Sequence, residues 1–425
     1  MYQEIIFDFV LDAISKAKPE FLIPQKVQVA GNILQIEKSE IDLDSFKKVY
    51  VVGAGKASGN MAKEIELILG NRIDSGVVGV KYGHKAGCKI IEEIEAAHPT
   101  PDNKSLKVGK KISNICSEST KEDLVIFLFS GGGSSLMESL PEVIPLEDFQ
   151  KFNSLLLHSG LPIQDINALR KSVSLVKAGK LAEMAFPAKC ITLIISDVIG
   201  NDPADIASGP TTKSETDYKF CLDLLKENKL LSKTPDAIVS FMKDRFSTKP
   251  AVSPIFNKNI ILGSNIDAIN TLVKTAEINK LNPIVIGSDI SGDVETVSKF
   301  FIDKIISVKK LAGNSNKPIC LIGGGEPTVN VKGNGIGGRN THFALVMMIE
   351  MIKLNLEFSF ASVGTDGTDG STDAAGAFIS HNTKFKILQK RIDPTNYYKN
   401  FDSYNFFNDV GGLIKTGPTG TNVMD

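Results

Sequence analysis

The sequence predicts an α/β fold built on a mainly parallel sheet and divided into two domains, residues 1–250 and 251–425. Three observations carry this. Continuous apolar runs at 124–129 (LVIFLF) and 190–195 (CITLII) have the length and character of strands buried on both faces. Each ends in a turn of glycine, serine or aspartate and is followed by further structured sequence, the strand–turn–helix repeat of a parallel sheet. Between 246 and 259 (FSTKPAVSPIFNKN) that repeat gives way to two prolines, two serines and no clear period, which reads as a linker.

In chain order, residues 2–38 read as helical, because Ile5, Ile6, Phe9, Val10 and Ile14 form one apolar stripe. A strand at 48–52 enters the turn Gly53-Ala54-Gly55-Lys56-Ala57-Ser58-Gly59, and a helix follows over 60–69. Residues 76–80 form the next strand and 104–117 a helix. The strand at 124–129 stops at Ser130-Gly131-Gly132-Gly133-Ser134-Ser135, and the one at 190–195 stops at Ser196-Asp197. Beyond the linker, 260–262 and 283–286 read as strands flanking a helix, and 318–322 as a third, ending at Gly323-Gly324-Gly325-Glu326. A glycine-rich loop, 333–340, then leads into a helix to about 354. The apolar run 358–363 breaks into a loop carrying Asp366, Asp369 and Asp373 among glycines and threonines. No tandem repeat or low-complexity segment interrupts this pattern.

Composition excludes several classes. A net charge of −1 provides no global field to recruit nucleic acid or an anionic membrane. Five scattered cysteines without a C-x-x-C pair read as small buried hydrophobes in a reducing compartment. The opening MYQEIIFDFV lacks a basic n-region, and no apolar run reaches membrane-spanning length, so a cytoplasmic protein is expected. The histidines show no metal spacing and no G-x-S-x-G occurs, leaving a nucleophilic triad unsupported. Oligomeric state is left open.

Ligands of parallel sheets collect where the strands end, so the turns carry the chemistry. Gly53 and Gly55 would let backbone approach a ligand, and Lys56 suits a phosphoryl group. The third glycine is one position late for a dinucleotide fingerprint, the second strand ends near Lys81 where a nicotinamide site wants a carboxylate, and no Walker sequence occurs. The turn Ser130, Gly131, Gly132, Gly133, Ser134, Ser135 would form an anion nest for phosphate or carboxylate. Asp197 could hold Mg2+ or accept a hydroxyl proton, or simply cap a turn. Arg339 and its neighbour Asn340, in a glycine-rich loop, suit a carboxylate or phosphate oxygen pair. Glu326 is either a ligand or a cap, and Asp366 and Asp369 suit a hard cation such as Mg2+.

Seven segments, in order over nearly the whole chain, carry a family resemblance: VVGAGKASGNMA (51–62), AAHPTPDN (96–103), FSGGGSSLM (129–137), SDVIGNDPADIASGPT (196–211), GGGEPTVNVKGNGIGGRN (323–340), GTDGTDGSTDAAGA (364–377) and TGPTGTNV (416–423). The chain resembles the glycerate 2-kinase family whose C-terminal half is called the MOFRL domain. The resemblance implies a Rossmann-like N-terminal domain, a smaller α/β C-terminal domain and an active site in the interdomain cleft. It also implies ATP-dependent phosphorylation of D-glycerate at the 2-hydroxyl with Mg2+, and central roles for the residues matching Lys56 and Arg339. The sequence departs from the family pattern at Thr341-His342, where Gln-Glu is usual, and after 423, where a final apolar strand is usual. A nicotinamide-dependent hydroxypyruvate reductase and a non-catalytic sugar-phosphate sensor are the competing readings.

Overall fold

The computed structural model describes residues 2–214, 216–246, 257–311 and 317–425. Most of the expected linker, residues 247–256, lies outside the described residues. Two compact units emerge: residues 22–262, and residues 1–21 together with 263–425. This differs from a division at 250/251. The first helix, Tyr2–Lys16, joins the C-terminal unit, where Thr275 Oγ1 donates to Asp12 Oδ2 at 2.7 Å and Thr421 Oγ1 donates to the Ala17 carbonyl at 2.6 Å.

The helical expectation for 2–38 holds only in part. After the helices Tyr2–Lys16 and Pro19–Lys26 the chain forms an antiparallel meander: β1 (Val27–Ala30), β2 (Ile33–Ile36) and β3 (Ser39–Asp42). The missed signal is the two-residue turn Gly31-Asn32, with Gly31 at φ +63°, between alternating segments.

The larger unit is organised by a six-stranded sheet of β4 (Lys48–Ala54), β5 (Ser75–Lys81), β6 (Ile91–Ala96), β7 (Asp123–Ser130), β8 (Lys189–Ile195) and β9 (Asn257–Gly263). Its order is β6-β5-β4-β7-β8-β9, and the pairs β5–β6, β4–β5, β4–β7 and β7–β8 are parallel. All eight residues of β7 are buried, which explains its unbroken apolar sequence. Phe127 and Phe129 stack at 6.0 Å in a core shared with Val52, Ile112 and Leu181. The chain leaves β4 towards β5 on one side and returns as β7 on the other. That reversal opens a crevice beyond the carboxyl ends of β4 and β7, where the Lys56 and Ser130 turns lie.

In the second unit, β10 (Asn282–Asp293) and β11 (Ile319–Thr328) form a parallel pair. A separate antiparallel sheet contains β12 (Phe360–Val363), β13 (Gly376–Ile379) and β14 (Leu413–Ile414). The helix Arg339–Lys353 buries Phe343, Met347 and Met351 with Phe301, Phe406 and Phe407. Phe343 meets Phe301 and Phe360 edge-on, at 5.4 and 4.9 Å. Packing on its own sheet and helices, this core fixes where Arg339 begins the helix. Residues 423–425 are held by Thr365, whose backbone N–H donates to the Met424 carbonyl at 3.0 Å, and by Gly325, which exchanges two backbone hydrogen bonds with Asp425.

Candidate active site

Lys56 stands two residues beyond the end of β4. Its backbone N–H donates to the Gly131 carbonyl at 2.8 Å, and the next N–H, of Ala57, donates to Ser130 Oγ at 3.0 Å. The turns after β4 and β7 are thus locked together. A Cβ at Gly132 would sit 3.0 Å from the His98 ring and 3.3 Å from Cγ of Lys56, so the lysine stem, the imidazole and the glycine share one spot. Gly132 has φ +79°, which a side chain would strain.

The other candidates in these turns are placed differently from one another. Gly53 lies inside β4, where a Cβ would be 2.0 Å from the Leu128 carbonyl oxygen, and at Gly55 a Cβ would be 2.1 Å from Ser130 Oγ. Both glycines therefore let β4 and its turn pack closely on β7. Ser130 is wholly buried and Ser135 donates to the Gly132 carbonyl at 3.1 Å, so these hydroxyls brace the turn. Gly133 admits the Ala54 carbonyl, 2.6 Å from where its Cβ would be. Ser134 is half-buried and shares a 2.9 Å hydrogen bond with Ser208 Oγ.

Asp197 stands two residues beyond β8, half-buried, next to the Ser196 hydroxyl that accepts from Val198 N–H at 3.2 Å. The neighbouring β7 ends at Ser130, in register with Ile195, so Asp197 emerges on the same sheet edge as the Ser130 turn. Sequence reasoning missed His98 and Ser208, although both lie within the AAHPTPDN and SDVIGNDPADIASGPT segments.

Arg339, first residue of its helix, is gripped by two carboxylates. Nε donates to Asp425 Oδ2 at 2.5 Å, Nη2 to Asp425 Oδ1 at 3.0 Å, and Nη1 to Glu326 Oε1 at 2.7 Å. Burial works against the cation, but these two partners more than reverse it and hold the guanidinium's pKa above its ordinary range. Burial raises the Asp425 carboxyl to about 6 against the pull of Arg339. Asp425 and the Arg339 clamp were not anticipated from sequence, since this aspartate lies outside the motifs read there.

Asp369 does not stand with Glu326 and Asp366 as a ligand set. Its carboxylate accepts from Asn340 N–H at 2.9 Å, Thr341 N–H at 2.8 Å and Thr341 Oγ1 at 2.8 Å, capping the helix from outside. Burial raises its pKa despite those donors. The reason is geometric: a Cβ at Gly338 would lie 2.4 Å from this carboxylate, so helix start and aspartate are in direct contact. Asn340 Oδ1 accepts from Ser362 Oγ at 2.5 Å, a structural engagement. The departures from the family pattern also find roles, since Thr341 Oγ1 accepts from Gly338 N–H at 3.0 Å. His342 stacks between Tyr398 and Phe401, at 5.3 and 4.5 Å.

Asp366 Oδ1 accepts from Thr368 N–H and Oγ1, at 3.0 and 2.9 Å. Glu326 is exposed and engages Arg339 through Oε1. No group of three or more His, Cys, Asp or Glu among the described residues forms a metal cage. Mg2+ in phosphoryl-transfer sites is bound by one or two carboxylates plus phosphate oxygens, so Glu326 and Asp366 still fit it.

A parallel sheet with a lysine and seryl turns at its switch point, joined in sequence to a unit presenting a carboxylate-held arginine, defines a two-unit α/β protein. Models described as "Domain of unknown function (DUF4147)" and "MOFRL family" match residues 6–243 and 319–425. The D-glycerate 2-kinase of Thermotoga maritima is 38% identical over 383 residues, 90% of each chain. A protein of Agrobacterium vitis, named provisionally as a hydroxypyruvate reductase, is 34% identical over 89% of this chain and 98% of its own. The crystal structure of a glycerate kinase from Thermotoga maritima matches with a TM-score of 0.83 and 33% identity, covering 100% of this chain and 97% of that one. The chain belongs to the MOFRL-type glycerate kinase family.

Proposed function

We propose that the protein transfers the γ-phosphoryl group of ATP to the 2-hydroxyl of D-glycerate, giving 2-phosphoglycerate and ADP. The observation carrying this reading is the junction of the Lys56 and Ser130 turns at the β4/β7 crevice, with the lysine stem against Gly132. The choice of glycerate and of its 2-hydroxyl follows the name of the Thermotoga relative. Phosphoryl transfer asks for in-line positioning and for neutralisation of charge on the γ-oxygens. Lys56 and Arg339 supply that positive charge. Asp197 orients the 2-hydroxyl and accepts its proton. Mg2+, held by Glu326 and Asp366, would offset charge on the nucleotide phosphates.

No helix among the described residues is long and apolar enough to cross a membrane. Phosphorus NMR of the product from ATP, Mg2+ and D-glycerate tests reaction type and regiochemistry together. A 2-phosphoglycerate resonance is expected; a 3-phosphoglycerate resonance, or unchanged ATP, overturns the reading. The reductase name of the Agrobacterium relative supplies a second reading, which oxidation of NADH by hydroxypyruvate would establish.

A further inference from the structure

Behind the Ser134–Ser208 hydroxyl pair lies a buried group of charges that the reaction above does not use. Glu138, wholly buried, accepts from Ser174 Oγ at 2.5 Å and Ser139 N–H at 2.9 Å through Oε1, and from the ammonium of Lys177 through Oε2. Lys177 is also wholly buried. Lys180 donates to the carbonyls of Lys171 and Ser174, and Lys171 reaches Asp205 at 3.7 Å. Arg170, on the last turn of the helix Ile163–Val173, belongs to the same group, because its charge bears on Lys177 and Glu138 bears on it.

The balance of this group is cationic. Arg170, Lys177 and Lys180 share Glu138, whose two oxygens already accept from other donors, while Glu183 and Arg245 beside Lys180 offset one another. Burial lowers the pKa of Arg170 and Lys177, and brings Lys180 down to about 8. Arg170 Nε is buried with no hydrogen-bond partner among the described residues. The C-terminal turn of its helix offers partial negative charge, yet no acceptor to that atom. A buried donor without an acceptor is destabilising, and the five fixed donors of a guanidinium suit a planar carboxylate. The residue as a whole keeps partial exposure, which leaves a route from solvent.

The surrounding segment is tied to the turns that follow β7 and β8. Leu175 N–H donates to the Ser139 carbonyl at 2.8 Å, Ala178 N–H to Ser208 at 3.1 Å and Gly179 N–H to Gly209 at 2.7 Å. Ser208 is the residue whose hydroxyl meets Ser134. We propose that Arg170 binds the carboxylate of the small hydroxy-acid substrate, leaving Lys56 and the Ser130–Ser135 turn for the phosphoryl group. This assignment rests on the kinase reading only for the identity of the acid. Glu138 and Lys177 hold the floor of the subsite, and the Arg170 guanidinium is its specificity determinant.

The test compares Arg170→Met and Arg170→Lys with the wild type in two measurements. One is the thermal midpoint with and without D-glycerate, in the absence of nucleotide. The other is ADP release as a function of D-glycerate and of ATP. Arg170→Met is expected to melt no lower than wild type without ligand, since it removes a cation whose buried Nε has no acceptor among the described residues. It should lose the shift produced by D-glycerate, and its KM for D-glycerate should rise roughly 100-fold or more, the worth of a lost charge-assisted pair, with KM for ATP unchanged. Arg170→Lys, keeping charge without the fork, should fall between. A D-glycerate shift or KM left intact in Arg170→Met overturns the subsite, as does a variant that unfolds. Binding lost through Arg170 in a protein that releases no ADP would sustain the subsite and remove the kinase reading instead.

Discussion

The carboxylate of Asp425 meets the guanidinium of Arg339 through two nitrogens, at 2.5 and 3.0 Å, with the Asp425 side chain only 7% exposed. The arginine proposed to face a phosphoryl group is therefore pre-set in direction by a residue 86 positions away. Fork-to-fork pairing of this kind fixes the plane of the guanidinium as well as its place.

Asp425→Ala should leave Arg339 with Glu326 as its remaining clamp. The expected loss is roughly 1–3 kcal/mol of stability in urea unfolding near pH 4, where the contribution of Asp425 is present. A guanidinium displaced by even an ångström should also lower kcat by roughly 10- to 100-fold. Retention of both stability and turnover would show that the clamp does not position the arginine.

Two buried groups set opposing acid responses. Asp425 is raised from 3.8 to about 6, so its contribution is present below the unfolded value and lost as pH rises through 6. His342 is lowered by burial from 6.5 to about 4, so its contribution is present above the unfolded value and lost as pH falls through 4. Each is on the order of 3 kcal/mol at one unit per 1.4 kcal/mol, and over pH 4–6 they oppose each other. His342→Phe should make stability fall as pH rises across that window, and Asp425→Asn should make it fall as pH drops. Urea midpoints at half-unit intervals read both slopes; identical slopes in the two variants would contradict this assignment.

Asp369→Ala should expose the first turn of the helix Arg339–Lys353 by removing the acceptor of three hydrogen bonds. A destabilisation of roughly 1–3 kcal/mol is expected with or without Mg2+. If the loss appears only when Mg2+ is present, the residue is a metal ligand and the cap is incidental.

Lys56→Ala and Arg339→Ala should each lower kcat by roughly two to four orders of magnitude, as for other groups that stabilise developing charge. Circular dichroism should show the Lys56 variant folded, because its backbone N–H still reaches Gly131. Near-wild-type turnover in either would remove that residue from the mechanism.

Much of the larger unit was legible because local signals and tertiary demands agree there. β7 is buried on both faces, and its apolar run announces that without ambiguity. The meander at 27–42 was not read, since an apolar stripe beginning at Ile5 was carried too far past the Gly31-Asn32 turn. Among the acidic candidates, Asp366 and Asp369 look alike in sequence, and only folding placed one against a helix start.

The sequence by itself determined the α/β class, the strand-end turns and the residue types that can handle phosphate, because periodicity, glycine and charge are local properties. Tertiary structure alone decided that Gly53 packs against Leu128, that Asp369 caps a helix, that Asp425 holds Arg339 and that Arg170 Nε has no hydrogen-bond partner among the described residues. The physical reason is that each of these depends on which distant groups share a buried space, and whether a polar group is satisfied there is decided only when the chain closes around it.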